Sequence, residues 1–249
     1  MPLNPARLVR AVCGFALAAA LLSCLAACGD ATLDALPSAG VASVAGVSAG
    51  ESLRLRDGRA VTLAGVDVAD DAALRALLLG QEVELLDGGG GEAGRYHLRR
   101  RRDRRWVQGE LLDAGVARVR TTANDRTLAA AMLSREARAR RDRRGLWAGR
   151  WRVLTADEAV DARGFQIVEG RVRSARALRR GVFLDFGEDW RRDVSVEVPD
   201  AALDAFAAAG VDPEELDGRL VRVRGRLERT RNGPLMVLNH PEALELLRE

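Results

Sequence analysis

Short runs in which apolar and polar residues alternate dominate the chain, and turn residues punctuate them, a pattern that predicts strands more than helices. Val41–Val47 reads as the first strand. Asp57-Gly58 lies between Glu51-Ser52 and Val61-Thr62-Leu63, and Asp-Gly between alternating apolar runs predicts a hairpin. Glu82–Leu86 and Val116–Val119 read as further strands, and Gly88–Gly91 as a flexible loop. Helices are predicted at Asp71–Leu79, stopped by Gly80, at Trp106–Ala114, stopped by Gly115, and from a cap at Asn124-Asp125 to about Arg144. In the last of these, Leu128, Ala129, Met132, Leu133 and Ala137 recur at helical spacing and define an inner face, so Met132 is expected in the core. Glu136 and Arg140, one turn apart, are placed on the outer face as an ion pair.

Residues 148–164 are polar and read as a linker with a short helix at Ala156–Val160. Strands follow at Phe165–Ala175, Val182–Phe186 and Val194–Val198, then a helix at Ala201–Ala209, opened by Pro199-Asp200 and stopped by Gly210. Strands Arg219–Leu227 and Pro234–Leu238 close the pattern around an Asn232-Gly233 turn. Three strands, a helix and two strands is the order of an OB barrel.

The first 28 residues have the form of a targeting segment, with Arg7 and Arg10 ahead of an apolar, small-residue run at Ala11–Ala27. Leu25-Ala26-Ala27-Cys28 resembles a bacterial lipobox, which implies a signal peptide over 1–27, cleavage before Cys28 and lipidation of its thiol. An ordinary cleaved signal and a retained anchor are the alternatives. Gly29 after the cysteine resembles outer-membrane lipoproteins, so the expected location is a lipid anchor in the cell envelope, facing the periplasm. Residues 28–40 read as a tether, and no cysteine beyond Cys28 remains to form a disulfide.

Composition sharpens the picture little. With 47% hydrophobic and 30% charged residues the chain is globular rather than disordered. A net charge of +3 points toward anionic partners. However, all 39 basic residues are Arg and none is Lys, which points to a codon bias and weakens the Arg content as a sign of phosphate binding.

Candidate chemistry centres on 51–70. Glu51, Asp67 and Asp70 are delivered to the ends of the hairpin strands, and hard oxygen ligands grouped in this way suit Ca2+ or Mg2+. His97 and His240 have no second His or Cys to complete a transition-metal site and read as structural.

This stretch, with Gly94-Arg95, Trp106-Val107-Gln108 and the run from Glu136 to Gly145-Leu146-Trp147, resembles the thermonuclease (staphylococcal nuclease) family over roughly Ala49–Trp147. The resemblance implies a fold that is mainly β with helices (α+β), built from two OB-fold-type five-stranded barrels at 41–147 and 165–249. Family position makes Tyr96–Arg101 a strand. There Leu98 and Arg100 share a face, so either the strand ends early or Arg100 meets a carboxylate. By the same resemblance Glu51 and Asp67 are the metal carboxylates for Ca2+, Asp70 is the general base and Arg95 is a phosphate-binding arginine. The pattern departs from the family in several places: Glu51 stands for Asp, Val68 for Thr or Ala, Asp70 for Glu, and Thr62 for a second arginine. Ala93, Thr121 and Ala123 stand where relatives have tyrosines.

Hydrolysing a phosphodiester requires a positioned water and positive charge on the phosphoryl oxygens. Losing one such donor costs about 10²- to 10³-fold, and withdrawing the water-positioning carboxylate by about 1 Å costs about 10²-fold. The expectation is therefore a catalytically degenerate nuclease acting as a binding module, and the alternative is a weak Ca2+-dependent nuclease acting on DNA or RNA. Arg99 and Arg101 are candidate nucleic-acid contacts, and Phe183, on the opposite strand face from Val182 and Leu184, is a candidate base-stacking residue. Trp106, Trp147, Trp151 and Trp190 read as packing residues. The second half, through Phe186–Arg191 and Asn239-His240-Pro241-Glu242, resembles an accessory domain that some thermonuclease-like proteins carry. The partners expected are the membrane through the N-terminal lipid, single-stranded nucleic acid, and another envelope protein.

Overall fold

The computed structural model describes residues 33–48, 51–88, 94–124, 126–189 and 191–248. The expected signal peptide, Cys28, residues 29–32 of the expected tether, Gly89–Gly91, Ala93, Asp125 and Trp190 lie outside the described residues. Strands predominate over helices in a mixed α+β fold.

Five strands of the first half close into a barrel: β1 (Ser38–Val47), β2 (Ser52–Leu55), β3 (Ala60–Leu63), β5 (Glu82–Leu86) and β6 (Arg95–Arg100), ordered β1-β2-β3-β6-β5. Strand β1 is long enough to serve two neighbours. Its first part pairs with β5, its second part pairs with β2, and the register shifts between Val44 and Gly46. Alternation drives this packing, since Leu53, Leu55, Val61, Leu63, Val83, Leu85 and Leu98 all point inward and are almost fully buried. Strands β3 and β6 run parallel, with Thr62 opposite Arg95. β4 (Val66–Val68) leaves the barrel and forms a separate ribbon with β7 (Ala117–Val119).

Helices α1 (Asp71–Leu78), α2 (Val107–Asp113) and α3 (Ala129–Arg141) flank this half. α3 starts later than its apolar spacing suggests, at a Leu128 cap with no side-chain hydrogen bond, and Asn124 is exposed ahead of it. Gly115 and Gly145 hold the ends of α2 and α3 together. Both have positive φ, and a Cβ on either would run into the other segment's backbone carbonyl at 2.2–2.4 Å. Strand β6 does not end early: Arg100 is buried, and its guanidinium receives Asp103 and Glu110 as counter-charges.

The polar linker proves to be packed. Trp147, Ala139 and Ile167 form a small core of their own with Trp151, Val153 and Phe165 against it. β8 (Leu154–Thr155) pairs in parallel with β9 (Gly164–Arg171), and the short helix α4 (Ala156–Ala159) is held by a capping box between Thr155 and Glu158.

The second half is one eight-stranded sheet, where five strands closed on themselves were expected. It contains β8, β9, β10 (Ser174–Leu178), β11 (Gly181–Asp185), β12 (Ser195–Pro199), β13 (Leu220–Thr230), β14 (Gly233–Val237) and β15 (Leu244–Leu246), with α5 (Asp200–Ala208) after β12. Two causes raise the count. β8 adds at the edge beside β9 and β15 pairs with the start of β13, and the single strand expected at Phe165–Ala175 breaks in two where Val172 donates to Arg219 and Arg173 to Asp185. Its first part, β9, pairs with β13 and its second, β10, with β11, the same division of labour as in β1. With β9 and β10 counted as one bent strand, both halves follow the same first-second-third-fifth-fourth order, and in both the third and fifth strands are parallel.

Candidate functional site

The hairpin and the β4–β7 ribbon together set the carboxylates. Leu63 donates its amide to the Glu51 carbonyl at 2.9 Å, which fixes Glu51 beside the end of β3. Asp67 lies on β4, directly opposite Arg118 of β7. The Arg118 guanidinium donates to Asp67 Oδ2 at 2.7 Å, and its charge stacks between the rings of Trp151 and Phe165 at 4.8 and 4.9 Å. Two residues further on, Arg120 Nη1 lies 3.7 Å from Glu51 Oε1 and 3.8 Å from Asp67 Oδ1. Glu51 and Asp67 thus meet at one guanidinium, and a pair of arginines balances the pair of carboxylates.

Asp70 lies one residue ahead of α1. It is the N-cap of α1, where its Oδ1 accepts from the Ala73 amide at 2.9 Å. Arg95 opens β6 in register with Thr62 and is half-buried. Among the described residues no group of three or more His, Cys, Asp or Glu stands close enough to hold a metal ion. Ca2+ takes six to eight oxygens, and here the two carboxylates that come together already carry Arg118 and Arg120 as counter-ions. As they stand, these residues do not fit a Ca2+ site.

The candidate nucleic-acid contacts are dispersed. Arg99 is only 6% exposed, with Asp34 at 2.5 Å and Glu84 at 3.5 Å. Arg101 is exposed, with Glu82 at 3.7 Å. Asp103 in the same turn is held down to about 2 by the hydrogen bond from Arg100. Phe183 is half-buried between its cross-strand neighbours Arg176 and Glu197, in a groove of about 500 Å³ that also contains Arg180 and Leu235.

A deeply buried ionic site lay beyond what local spacing in the sequence could show. Glu136, expected on the outer face of α3, is completely buried where the two halves meet. Its Oε2 accepts from the Val119 amide at 2.7 Å and from Arg224 Nη1 at 2.9 Å, and its Oε1 accepts from Arg140 at 3.2 Å. Arg224, itself buried on β13, also donates to Glu245 at 2.7 Å. Burial opposes the Arg224 charge, but Glu136 and Glu245 outweigh it and hold the guanidinium more strongly protonated than usual. Burial likewise opposes ionisation of Glu245, and Arg224 and Arg222 prevail, so its carboxyl lies below the usual range. A second link runs through His240, whose Nε2 is 3.1 Å from the Thr121 carbonyl and whose Nδ1 is 3.2 Å from Glu242. Burial pushes the His240 imidazole toward its neutral form despite both contacts. The only sequence signal for Glu136 was the i,i+4 partner Arg140; Arg118 and Arg120 gave none beyond their two-residue spacing.

Compared with known proteins, the chain matches no protein-family model and no curated sequence.

Proposed function

We propose that the protein is a thermonuclease-like envelope lipoprotein whose nuclease site has decayed and which now serves as a binding module. The observation that carries this reading is the hydrogen-bonded pairing of Asp67 with Arg118, which engages with a protein cation a carboxylate that a catalytic Ca2+ would need, while Arg120 stands 3.7–3.8 Å from Glu51 and Asp67. Asp70, engaged as a helix cap, and Thr62 in place of an arginine argue the same way. The common strand order of the two halves supports an OB-type reading of each. The lipobox at Cys28 supports the envelope location.

The reading is tested by incubating the full chain, purified in detergent, with single-stranded DNA and Ca2+. The expected result is no cleavage above that of Arg95→Ala. Cleavage at rates near those of complete thermonucleases, abolished by Arg95→Ala, would favour the alternative of an active Ca2+-dependent phosphodiesterase, for which the retained acidity at positions 51, 67 and 70 is the supporting observation. Thr62→Arg combined with Asp70→Glu then asks whether the scaffold lacks only its chemistry.

A further inference from the structure

Between the two halves lies a cleft of about 480 Å³, a size typical of small-molecule sites. One wall is the segment that follows β7, from Arg120 to Asn124, and the other comes from β9, β13, β14 and the turn around His240. Arg120, Arg224 and Arg226 line it, and no Asp or Glu is among its described lining residues. In a chain with 36 acidic residues against 39 basic ones, that asymmetry is a property of the cleft and not of the composition.

The three arginines are not equivalent. β13 places Arg222, Arg224 and Arg226 on one face at two-residue spacing. The first two are drawn in under Glu136, Glu169 and Glu245, whereas the Arg226 side chain is 75% exposed and donates through Nε to the exposed Glu228 at 2.9 Å. Exposed pairs of that kind contribute little and exchange readily. Arg120 is also substantially exposed, and its two carboxylates stand at 3.7 and 3.8 Å, beyond hydrogen-bond length. The Arg120 guanidinium and the Nη groups of Arg226 hold no hydrogen bond among the described residues, so an incoming anion can share these guanidiniums with their carboxylate neighbours, and their planar forks suit the oxygens of a phosphate or carboxylate. Asn124 and Asn239 add amide donors. Phe165 and the exposed Val237 supply an apolar surface beside them.

We propose that this cleft binds a small organic oxyanion, its phosphate or carboxylate held by Arg120 and Arg226 and its apolar or planar body resting on Phe165 and Val237. The site draws on both halves of the chain and assumes neither nuclease activity nor its loss.

Calorimetric titration of the full chain in neutral detergent at low salt provides the test, with phenyl phosphate and benzoate as probes and inorganic phosphate and phenol as controls. At least one probe should bind more tightly than both controls, which also tells phosphate from carboxylate. Arg226→Gln, at an exposed position that leaves the fold intact, should weaken that binding by about tenfold or more, the scale of a lost charge-assisted hydrogen bond. Arg120→Gln should do the same, and added salt should lower the affinity. Failure of both probes to bind, or binding unchanged in Arg226→Gln and Arg120→Gln, would overturn the proposal.

Discussion

At the scale of single residues, the placement of Glu136 governs the most. A carboxylate without exposure, holding the Val119 amide and two guanidiniums, is tolerable only while every lone pair is answered. Removing one member of such a buried ionic site leaves charge uncompensated, and Glu136→Ala is expected to cost about 3–5 kcal/mol in urea unfolding. Reversing an exposed pair such as Arg226–Glu228 should change stability by about 0–1 kcal/mol in the same measurement. Helical spacing made the Glu136–Arg140 pair legible, but Arg224, 88 residues further along the chain, decides which way Glu136 faces. The arginine run was half legible in the same manner. Sharing a face with Leu98 left Arg100 to meet a carboxylate or the strand to end early, and nothing local showed that Asp34 and Glu84 converge on Arg99 from outside β6.

Among the elements, α1 and β4 tell most about the candidate site. Asp70 caps α1, and Asp70→Ala is expected to destabilise the protein by about 1 kcal/mol through the lost bond to the Ala73 amide. If the cap is the whole role of Asp70, any trace of phosphodiesterase activity will survive that substitution, which a cleavage assay on the same preparation checks. The close approach of Gly115 and Gly145 gives another element-scale expectation. Gly115→Ala combines a positive φ with a collision against the Arg144 carbonyl and should destabilise by more than about 1 kcal/mol, read from the shift in thermal midpoint. The hairpin at Asp57-Gly58 and the extent of α1 were readable because turn and helix signals are local. The register that sets Asp67 against Arg118 was not, since a pairing across 51 residues leaves no local mark.

For the molecule as a whole, the junction between the halves is ionic as well as apolar. Arg224–Glu136, Arg118–Asp67 and His240–Thr121 cross or border it, together with the Trp147 cluster. The two halves are expected to unfold in one transition by calorimetry, and Glu136→Ala to split it. Acid should loosen the same junction. Glu242 and Glu245 have carboxyls below their ordinary value of 4.5 in the folded protein, so the unfolded chain takes up protons first as the pH falls. Their stabilising contribution is complete above that ordinary value and is lost as the pH drops through the lower folded one. His240 acts in the same direction from its ordinary value of 6.5 downward, because burial disfavours its charged form. Urea midpoints at about pH 7 and about pH 3 should therefore fall together with the loss of the single transition.

By itself the sequence determined the elements: strand alternation, the Asp-Gly and Asn-Gly turns, the glycine stops and the helical faces all act within a few residues, and they place nearly every strand and helix of both halves. Tertiary structure alone decided what the charged side chains do. Thirty-nine arginines look alike along the chain. Only the barrel closure, the β4–β7 register and the docking of β13 against α3 determine which of them are spent on Asp67, Glu84 and Glu136 and which remain at a cleft. Electrostatic partnership depends on distance in space and on burial, and neither has a local period for a sequence to display.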